Sequence, residues 1–263
     1  MPDQPALETV LRSIGRAAVA VSGGVDSMTL AHVTHLTLGD QAEMFHAISP
    51  AVPAEATERV TRHAQAAGWN LHLVDAGETT DERYLANPVD RCYFCKTNLY
   101  GFIAGQTERT IVSGTNTDDL GDYRPGLLAA DEHRVRHPYV EAGIDKNGVR
   151  ALAARLGLDD LADLPAAPCL SSRIETGLRV TPRRLSTVET IERTLRERLP
   201  AENLRCRIRA TGVVIELDAA LVADARRNLT PEVAGLLRDL GAPEDVTFEE
   251  YRRGSSFLRG TST

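Results

Sequence analysis

Residues 17–31, AAVAVSGGVDSMTLA, run from an uninterrupted apolar stretch into a glycine pair, an aspartate and hydroxyl side chains. The apolar residues predict a buried parallel strand, and the sequence that follows fits a helix. Glycines at such a junction let the backbone approach an oxyanion, toward which the first amides of the helix point. The stretch therefore predicts either a phosphate-binding turn or an ordinary strand-to-helix turn.

The side chains of this turn narrow the choice of motif. Ser22 and Ser27 can donate to phosphate oxygens, and Asp26 can hold a magnesium ion or its water. No lysine follows Gly23 and Gly24, so the turn is not a Walker A motif, and its spacing is not G-x-G-x-x-G.

Strands and helices alternate regularly over the first part of the chain. Predicted strands cover 17–23, 43–50, 70–76 and 109–116, predicted helices cover 5–16, 27–38, 54–68 and 146–158, and a short strand is expected near 135–141. This alternation predicts an α/β fold, a Rossmann-like doubly wound parallel sheet covered on both faces.

The pattern changes at Thr181. A helix over 181–199, two strands within 203–218, a helix over 231–242 and a strand over 245–251 predict a small C-terminal α+β domain. We therefore expect two domains, 1–180 and 181–263. Between them, residues 163–184 are rich in proline, serine and threonine, and a loop of this length is usually functional or disordered.

Composition limits the function classes. The chain has 263 residues, 42% of them hydrophobic, and a formal net charge of −7, which argues against a protein that wraps nucleic acid. There is no apolar run of membrane-spanning length and no secretory signal pattern, so we expect a cytoplasmic protein with no membrane contact. Four cysteines are too few for a disulfide framework in a chain this long.

The cysteines admit several interpretations. Cys92 and Cys95 form a C-x-x-C within NPVDRCYFCK, and Cys169 lies in PAAPCLSSR. They could form a redox pair, half of a zinc site, three ligands of a [4Fe–4S] cluster with one open iron, or packed thiols. A metal role ranks above a redox role, because no thioredoxin-like pattern follows the pair. A zinc site would need a fourth ligand beside the three cysteines; none of the candidate histidines lies at a metal-ligand spacing from a cysteine: His63, His72, His133 and His137. Cys206, which alternates with arginines in a predicted strand, is expected to be structural.

SGGVDS after a buried strand resembles the PP-loop of the N-type ATP pyrophosphatases. Members of that superfamily use ATP to adenylate a carbonyl or carboxyl oxygen and release pyrophosphate. The resemblance implies that one set of residues grips the pyrophosphate and its Mg²⁺: Ser22, Gly23, Gly24, Asp26 and Ser27. It also implies that the adenine lies near Ala20 and Ile48.

Four segments in order are similar to the LarE family of ATP-dependent sacrificial sulfur transferases: SGGVDS, NPVDRCYFCK, SGTNTDDLGDYRPGLLAADEH and PAAPCLSSRIETG. The similarity extends into LRCRIR and the closing YRRGS, and so covers nearly the whole chain. The family converts the carboxylates of pyridinium-3,5-biscarboxylic acid mononucleotide to thiocarboxylates, and the product becomes the nickel-pincer cofactor of lactate racemase. In one branch a single cysteine at the PCLSSR position gives up its own sulfur. In the other, three cysteines hold a [4Fe–4S] cluster whose open iron carries a sulfide, and Cys92, Cys95 and Cys169 resemble this cluster branch.

The resemblance assigns roles to further residues. Asp122 and Arg124 would contact nucleotide or substrate, although the aspartates around them could equally belong to a solvated loop. The arginines matching Arg205 and Arg207 bind phosphate at subunit contacts near an acidic residue matching Asp224, and the family forms homo-oligomers.

Arg91 and Arg173 flank the cysteines and could neutralise substrate phosphate or carboxylate, or lie on the surface. No role is assigned to Glu189 or Glu192.

Two rival hypotheses remain. One is a PP-loop enzyme that thiolates tRNA, which the acidic charge disfavours. The other is a nucleotide-binding metal sensor or assembly factor without catalysis.

Overall fold

The structure, a computed structural model, describes residues 4–121, 125–165 and 168–252. The helices are α1 Gln4–Ile14, α2 Val25–Leu38, α3 Ala54–Ala67, α4 Glu82–Leu85, α5 Arg91–Gln106, α6 Pro125–Glu132, α7 Pro138–Glu141, α8 Lys146–Arg155, α9 Asp159–Ala162, α10 Pro182–Arg196 and α11 Ala219–Asp239. The strands are β1 Ala17–Ala20, β2 Ala42–Ala47, β3 Leu71–Val74, β4 Thr110–Ser113, β5 Leu204–Arg209, β6 Gly212–Leu217 and β7 Val246–Glu250. Among the described residues, every helix is too short or too polar to span a membrane.

The chain divides into two compact units that are not continuous in sequence. The first unit takes Met1–Thr80 and Cys92–Ala167, and the second takes Asp81–Arg91 and Pro168–Thr263. The sequence-based boundary between 180 and 181 stays a prediction. By spatial grouping, the short segment before Cys92 belongs with the C-terminal part of the chain.

A four-stranded parallel sheet in the order β3-β2-β1-β4 forms the centre of the first unit. All residues of β1 are buried, as expected for a strand covered on both faces. Ala17 and Val19 pack in one apolar cluster with α1, α2 and α8, while Ala18 and Ala20 pack in a second cluster with α5. The α/β fold with a parallel sheet is therefore confirmed.

The order of this sheet reverses at β1. The chain goes outward through β1, β2 and β3, and then returns so that β4 pairs with the opposite side of β1. In parallel α/β sheets such a reversal opens a crevice outside the carboxyl ends of the two strands at which the order reverses, here β1 and β4. The glycine pair after β1 and Gly114 after β4 both lie at that edge.

The second unit has a three-stranded sheet in the order β5-β6-β7, with α10 and α11. β5 and β6 form an antiparallel hairpin, while β7 runs parallel to β6. The threonine cap expected for α10 is present, because the hydroxyl of Thr181 accepts from the amide of Arg184 at 3.3 Å. Pro182 follows at the first helical position, where a missing amide proton costs nothing.

Two local predictions were wrong, and one helix was left unassigned. The sequence predicts a helix that starts at Pro231, whereas α11 is a single helix from Ala219 to Asp239 with this proline inside it. No helix was expected over Arg91–Gln106, which forms α5. The short strand expected near 135–141 is a single bridge between Val112 and Arg136, followed by α7.

Pro231 in the exposed interior of α11 yields a stability prediction. Proline removes one backbone hydrogen bond and crowds the preceding turn, so Pro231→Ala should raise the free energy of unfolding by up to about 3 kcal/mol. Pro182→Ala is the matched control: that proline stands where no bond is lost, so its replacement should lower stability by up to about 1 kcal/mol. Urea unfolding of both variants measures the difference. A loss of stability in Pro231→Ala would contradict the prediction.

Candidate active site

The turn after β1 is held by its own serines. The amide of Ser22 donates to the hydroxyl of Ser27 at 3.0 Å, and the two hydroxyls are 3.0 Å apart. Ser27 is buried and also donates to the carbonyl of Gly24 at 3.2 Å, whereas Ser22 is exposed. Ser27 therefore shapes the turn, and Ser22 presents its hydroxyl to solvent.

At the start of α2, no side chain of the described residues caps the helix amides. Gly24 is the N-cap residue and makes no side-chain capping hydrogen bond. Gly23 has φ +83°, a left-handed conformation that favours glycine, and a Cβ there would lie 2.9 Å from the Cβ of Ala56. Helix amides without a capping side chain bind anions well, so this turn fits a phosphate group.

The backbone after β4 lies directly against this turn. A Cβ on Gly114 would lie 2.8 Å from the carbonyl carbon of Asp26 and 2.8 Å from the amide nitrogen of Ser27. No side chain fits at such a separation. Gly114 therefore lets the backbone after β4 pack directly against the start of α2 and brings the residues that follow to the turn.

The carboxylate of Asp26 lies among polar partners at this edge. It accepts from Asn116 Nδ2 at 3.2 Å and from Lys146 Nζ at 2.5 Å, and the hydroxyl of Tyr139 donates to its backbone carbonyl at 3.1 Å. The side chain of Asp26 is 26% exposed and that of Lys146 is 32% exposed, so both remain accessible to a ligand. The crevice thus contains a carboxylate that can bind a metal ion and a cation that can bind phosphate.

The acidic loop after β4 supports this arrangement. Asp119 accepts from the amide of Asn116 at 3.1 Å, and Asp118 accepts from the amide of Lys146 at 3.2 Å. These aspartates hold the loop and the start of α8 beside Asp26. They act as turn and capping residues in the described structure.

Sequence reasoning missed Lys146, which it treated only as the start of a helix. A signal was present: the lysine is the first residue of α8, where the helix dipole disfavours a positive charge. A residue whose charge or conformation is unfavourable in its own helix or strand is often part of a functional site.

Two further residues, which the sequence analysis did not identify, donate hydrogen bonds to the backbone of the turn. The guanidinium of Arg59 donates to the carbonyl of Gly23 at 2.8 Å, and burial lowers its pKa. His46 donates from Nδ1 to the carbonyl of Val21 at 2.9 Å, with its Nε2 2.9 Å from the hydroxyl of Thr57. Burial lowers the pKa of His46, which keeps the ring neutral at physiological pH.

Cys92 and Cys95 lie on the first turns of α5. Residues three apart on a helix are neighbours, so both thiols lie on the same side of α5. Cys92 is exposed and Cys95 half-buried. The chemistry and accessibility of this pair fit two ligands of a soft metal centre.

Cys169 caps a short 310 turn over Leu170–Arg173 and is half-buried. Arg173, only 2% exposed, holds this segment: its guanidinium donates to the carbonyls of Pro168 and Cys169, the latter at 3.2 Å. The same guanidinium forms a two-pronged ion pair with Glu192 at 3.0 and 3.2 Å. Arg173 is therefore a structural clamp on the backbone of Cys169, and its contact with substrate stays a prediction.

Arg207, on β5, also holds the backbone of the Cys169 segment. It pairs with Glu216 at 3.0 Å and donates to the carbonyl of Ser172 at 3.1 Å, and both charged side chains are buried. Glu192 also accepts from the amide of Cys206 at 3.0 Å. Two buried ion pairs thus join the Cys169 segment to the second sheet.

The remaining arginine-row residues differ in their surroundings. Arg205 is half-buried with its guanidinium 5.8 Å from the ring centre of Tyr251, and burial lowers its pKa. Asp224 is 70% exposed and pairs with Arg227. Phosphate binding by Arg205, Arg207 and Asp224 stays a prediction. Cys206 is fully buried in β5, and burial raises the pKa of its thiol far above the usual range, so it packs as an apolar side chain.

The other predicted contacts are described only in part. Ala20 ends β1 and is buried, and Ile48 follows β2 with 40% of its surface exposed. Their contact with adenine stays a prediction. Asp122 and Arg124 lie outside the described residues.

Within either unit, over the residues that the structure describes, no three histidine, cysteine or acidic side chains gather so as to hold a metal ion. A zinc site made by Cys92, Cys95 and a histidine of the first unit therefore gains no support. Cys169 belongs to the second unit, and a set of three cysteines stays a prediction.

The fold and this crevice define a class. A parallel sheet that reverses at β1 and β4, with a glycine-bearing turn after β1, is a Rossmann-like PP-loop fold. No protein-family model matches the chain.

Comparison with characterised proteins identifies the family. A pyridinium-3,5-bisthiocarboxylic acid mononucleotide synthase of Lactiplantibacillus plantarum is 30% identical over 223 residues, 83% of this chain and 80% of that protein. The chain belongs to the LarE family. An uncharacterised protein of Synechocystis sp. is 39% identical over 208 residues, 78% of this chain and 77% of that protein. A probable tRNA sulfurtransferase of Acholeplasma laidlawii is 24% identical, over 70% of this chain and 46% of that protein. The chain is thus related to enzymes of sulfur chemistry.

The close approach at Gly114 gives a prediction about the crevice. In Gly114→Ala the new methyl group meets backbone that cannot rotate away, so stability should fall by about 1–3 kcal/mol and ATP should bind more weakly. Gly105→Ala in α5 is the control: a Cβ there meets nothing within 4 Å, and stability should rise by up to about 1 kcal/mol. Urea unfolding and calorimetric titration with ATP measure both effects. Unchanged nucleotide binding in Gly114→Ala would contradict the assignment of this crevice.

The Arg173–Glu192 pair gives a pH prediction. Burial raises the pKa of Glu192, but Arg173 and its other partners outweigh burial and hold the pKa below the usual range. A carboxylate whose pKa is lower in the folded than in the unfolded state stabilises the fold at pH values above its unfolded-state pKa. This stabilisation is lost as the pH falls through the folded-state pKa, so the contribution of Glu192 fades below about pH 4.5.

Glu192→Gln should therefore lower stability by about 3 kcal/mol at pH 7, because it leaves Arg173 without a buried counter-charge, and should flatten the acid side of the stability profile. Glu82→Gln, which breaks an exposed pair with Arg179, should leave the urea midpoint nearly unchanged. Equal effects of the two variants across pH 3–7 would refute the clamp.

Proposed function

We propose that the chain is an ATP-dependent sulfur transferase. It adenylates a carboxylate of pyridinium-3,5-biscarboxylic acid mononucleotide and replaces oxygen with sulfur, in the synthesis of a nickel-pincer cofactor such as that of lactate racemase. The observation that carries the proposal is the 30% identity, over most of both chains, to the pyridinium-3,5-bisthiocarboxylic acid mononucleotide synthase. The crevice at β1 and β4 supports it with groups suited to a nucleotide.

The first half of the reaction would take place at the turn after β1. A carboxylate oxygen of the substrate attacks the α-phosphorus of ATP, the bond to the bridging oxygen breaks, and pyrophosphate leaves. The amides at the start of α2 and the hydroxyl of Ser22 would bind the pyrophosphate. Lys146 would move its charge from Asp26 to a phosphate oxygen and so free the carboxylate of Asp26. Mg²⁺ held by that carboxylate would offset charge on the leaving group.

The second half would use the cysteines. Sulfur attacks the acyl carbon of the adenylate, the bond from this carbon to the AMP oxygen breaks, and AMP leaves with both electrons. AMP is a far better leaving group than oxide, which is why the carboxylate must be activated first. A [4Fe–4S] cluster on Cys92, Cys95 and Cys169 would supply the sulfur from its open iron. The clamp of Arg173 and Arg207 would fix the backbone of Cys169 during transfer.

A tRNA acceptor is the second candidate, because a probable tRNA sulfurtransferase is among the relatives. The chain matches less than half of that protein, and its net charge of −7 disfavours a polyanionic substrate. A small mononucleotide acceptor, bound by a homo-oligomer with phosphate contacts at Arg205 and Arg207, remains the proposal.

The test separates the two halves of the reaction. Protein purified without air is given ATP and the pyridinium mononucleotide, and pyrophosphate, AMP, thiocarboxylate, iron and sulfide are quantified. Cys169→Ala should abolish thiocarboxylate formation while substrate-dependent pyrophosphate release stays within about twofold of wild type, because the activating groups lie elsewhere. Cys206→Ala, which removes a buried thiol of no proposed function, should retain both activities.

Three results would contradict the proposal. Pyrophosphate release at the same rate with and without the pyridinium mononucleotide would exclude this acceptor. Binding of bulk tRNA at moderate salt would favour the tRNA acceptor instead. A colourless anaerobic protein with stoichiometric zinc would exclude the cluster.

A further inference from the structure

Asn87 connects two segments of the second unit that are far apart in sequence. Its side-chain amide donates to the carbonyls of Glu175 at 2.8 Å, Leu178 at 2.9 Å and Ile174 at 3.3 Å. Its backbone carbonyl accepts from the amide of Gly177 at 2.9 Å. The side chain is fully buried, so these bonds are shielded from water.

Neighbouring contacts extend this connection. The hydroxyls of Tyr84 and Ser171, both buried, are 2.6 Å apart, and the amide of Val180 donates to the carbonyl of Leu85 at 2.8 Å. The chain from Tyr84 onward is thus attached along its length to the chain after Cys169.

Arg91 extends the network to the first cysteine. Its guanidinium donates to Oδ1 of Asn87, and the side chain is only 4% exposed. Arg91 is the first residue of α5 and is bonded directly to Cys92. The residue that leads into Cys92 and the loop that leaves Cys169 therefore meet at one buried carboxamide.

Asparagine is the side chain that this position requires. The backbone of Asn87 has φ 56°, in the left-handed region that glycine, asparagine and aspartate tolerate best. Glycine would satisfy the backbone but offer no side-chain bonds. Aspartate would place a carboxylate against the carbonyls of Glu175 and Leu178 where the amide now donates.

We propose that Asn87 is a positioning residue for sulfur transfer, which fixes the turn leading into Cys92 against the loop leading out of Cys169. The role rests on the proposed function, because it gives the fixed relation of these segments its chemical purpose. Asn87 contacts neither thiol and acts through the backbone on either side.

Two variants and a control test the role. Asn87→Gly keeps the left-handed backbone and deletes the side-chain bonds, and Asn87→Asp keeps the pairing with Arg91 but loses the donor. Arg134→Gly is the control, since Arg134 is exposed in the first unit with a similar φ of 54°. Sulfur transfer should fall roughly 100-fold in both Asn87 variants, as expected when reacting groups are misplaced, while substrate-dependent pyrophosphate release stays within about twofold. Arg134→Gly should resemble wild type in both.

Two measurements need no activity. In Asn87→Gly the amides of Gly177 and Val180 should exchange with deuterium faster, because the loop is no longer held. Alkylation by iodoacetamide, followed by mass spectrometry, should accelerate at the half-buried Cys169, while the exposed Cys92 serves as the internal reference.

The outcomes separate this role from the proposed function. Wild-type sulfur transfer in Asn87→Gly, or an equal loss of pyrophosphate release and transfer, would overturn the positioning role. If wild type releases no substrate-dependent pyrophosphate, the proposed function fails and the role in sulfur transfer fails with it; exchange and alkylation then decide only whether Asn87 holds the two segments together. Unchanged rates in Asn87→Gly would overturn that structural role, and faster exchange together with faster alkylation of Cys169 would support it.

Discussion

The return of β4 to the side of β1 is the constraint on which the first unit depends. It reverses the order of the sheet and opens the edge where the glycine turn, Asp26 and Lys146 meet. The segment after β4 can lie this close to the start of α2 because residue 114 carries no side chain. The shape of this crevice is thus set first by the close approach of backbone, and side chains such as Asp26 and Lys146 then line it.

The interior of the second unit contains charged side chains. Glu192 and Glu216 are almost inaccessible, and each is matched by an arginine that also donates to a carbonyl near Cys169. Buried ion pairs contribute little net stability relative to apolar packing, but they tolerate few alternative arrangements. The backbone around Cys169 is therefore held in a defined arrangement by these two pairs.

Much of the fold could be predicted from the sequence, because β1 to β4 and their helices follow clean periodic patterns. The helix over Arg91–Gln106 was missed, since aromatic residues and two glycines obscure its apolar face. Pro231 was taken as a helix start because proline is over-represented at the first position of helices. The glycine turn and the cysteines could be found as candidates, but Arg59 and Asn87 could not, and the signal for Lys146 was only its positive charge at a helix start. Their significance arises from contacts between residues distant in the chain.

The discontinuity of the second unit has a consequence for synthesis of the protein. Residues 81–91 leave the ribosome early, but the carbonyls that Asn87 binds belong to residues 174–178, which emerge some ninety positions later. Until then this segment stays solvated, while the first sheet can already form. A nascent chain stopped before residue 168 would already carry the C-x-x-C pair on α5, but the carbonyls that Asn87 binds would still be missing.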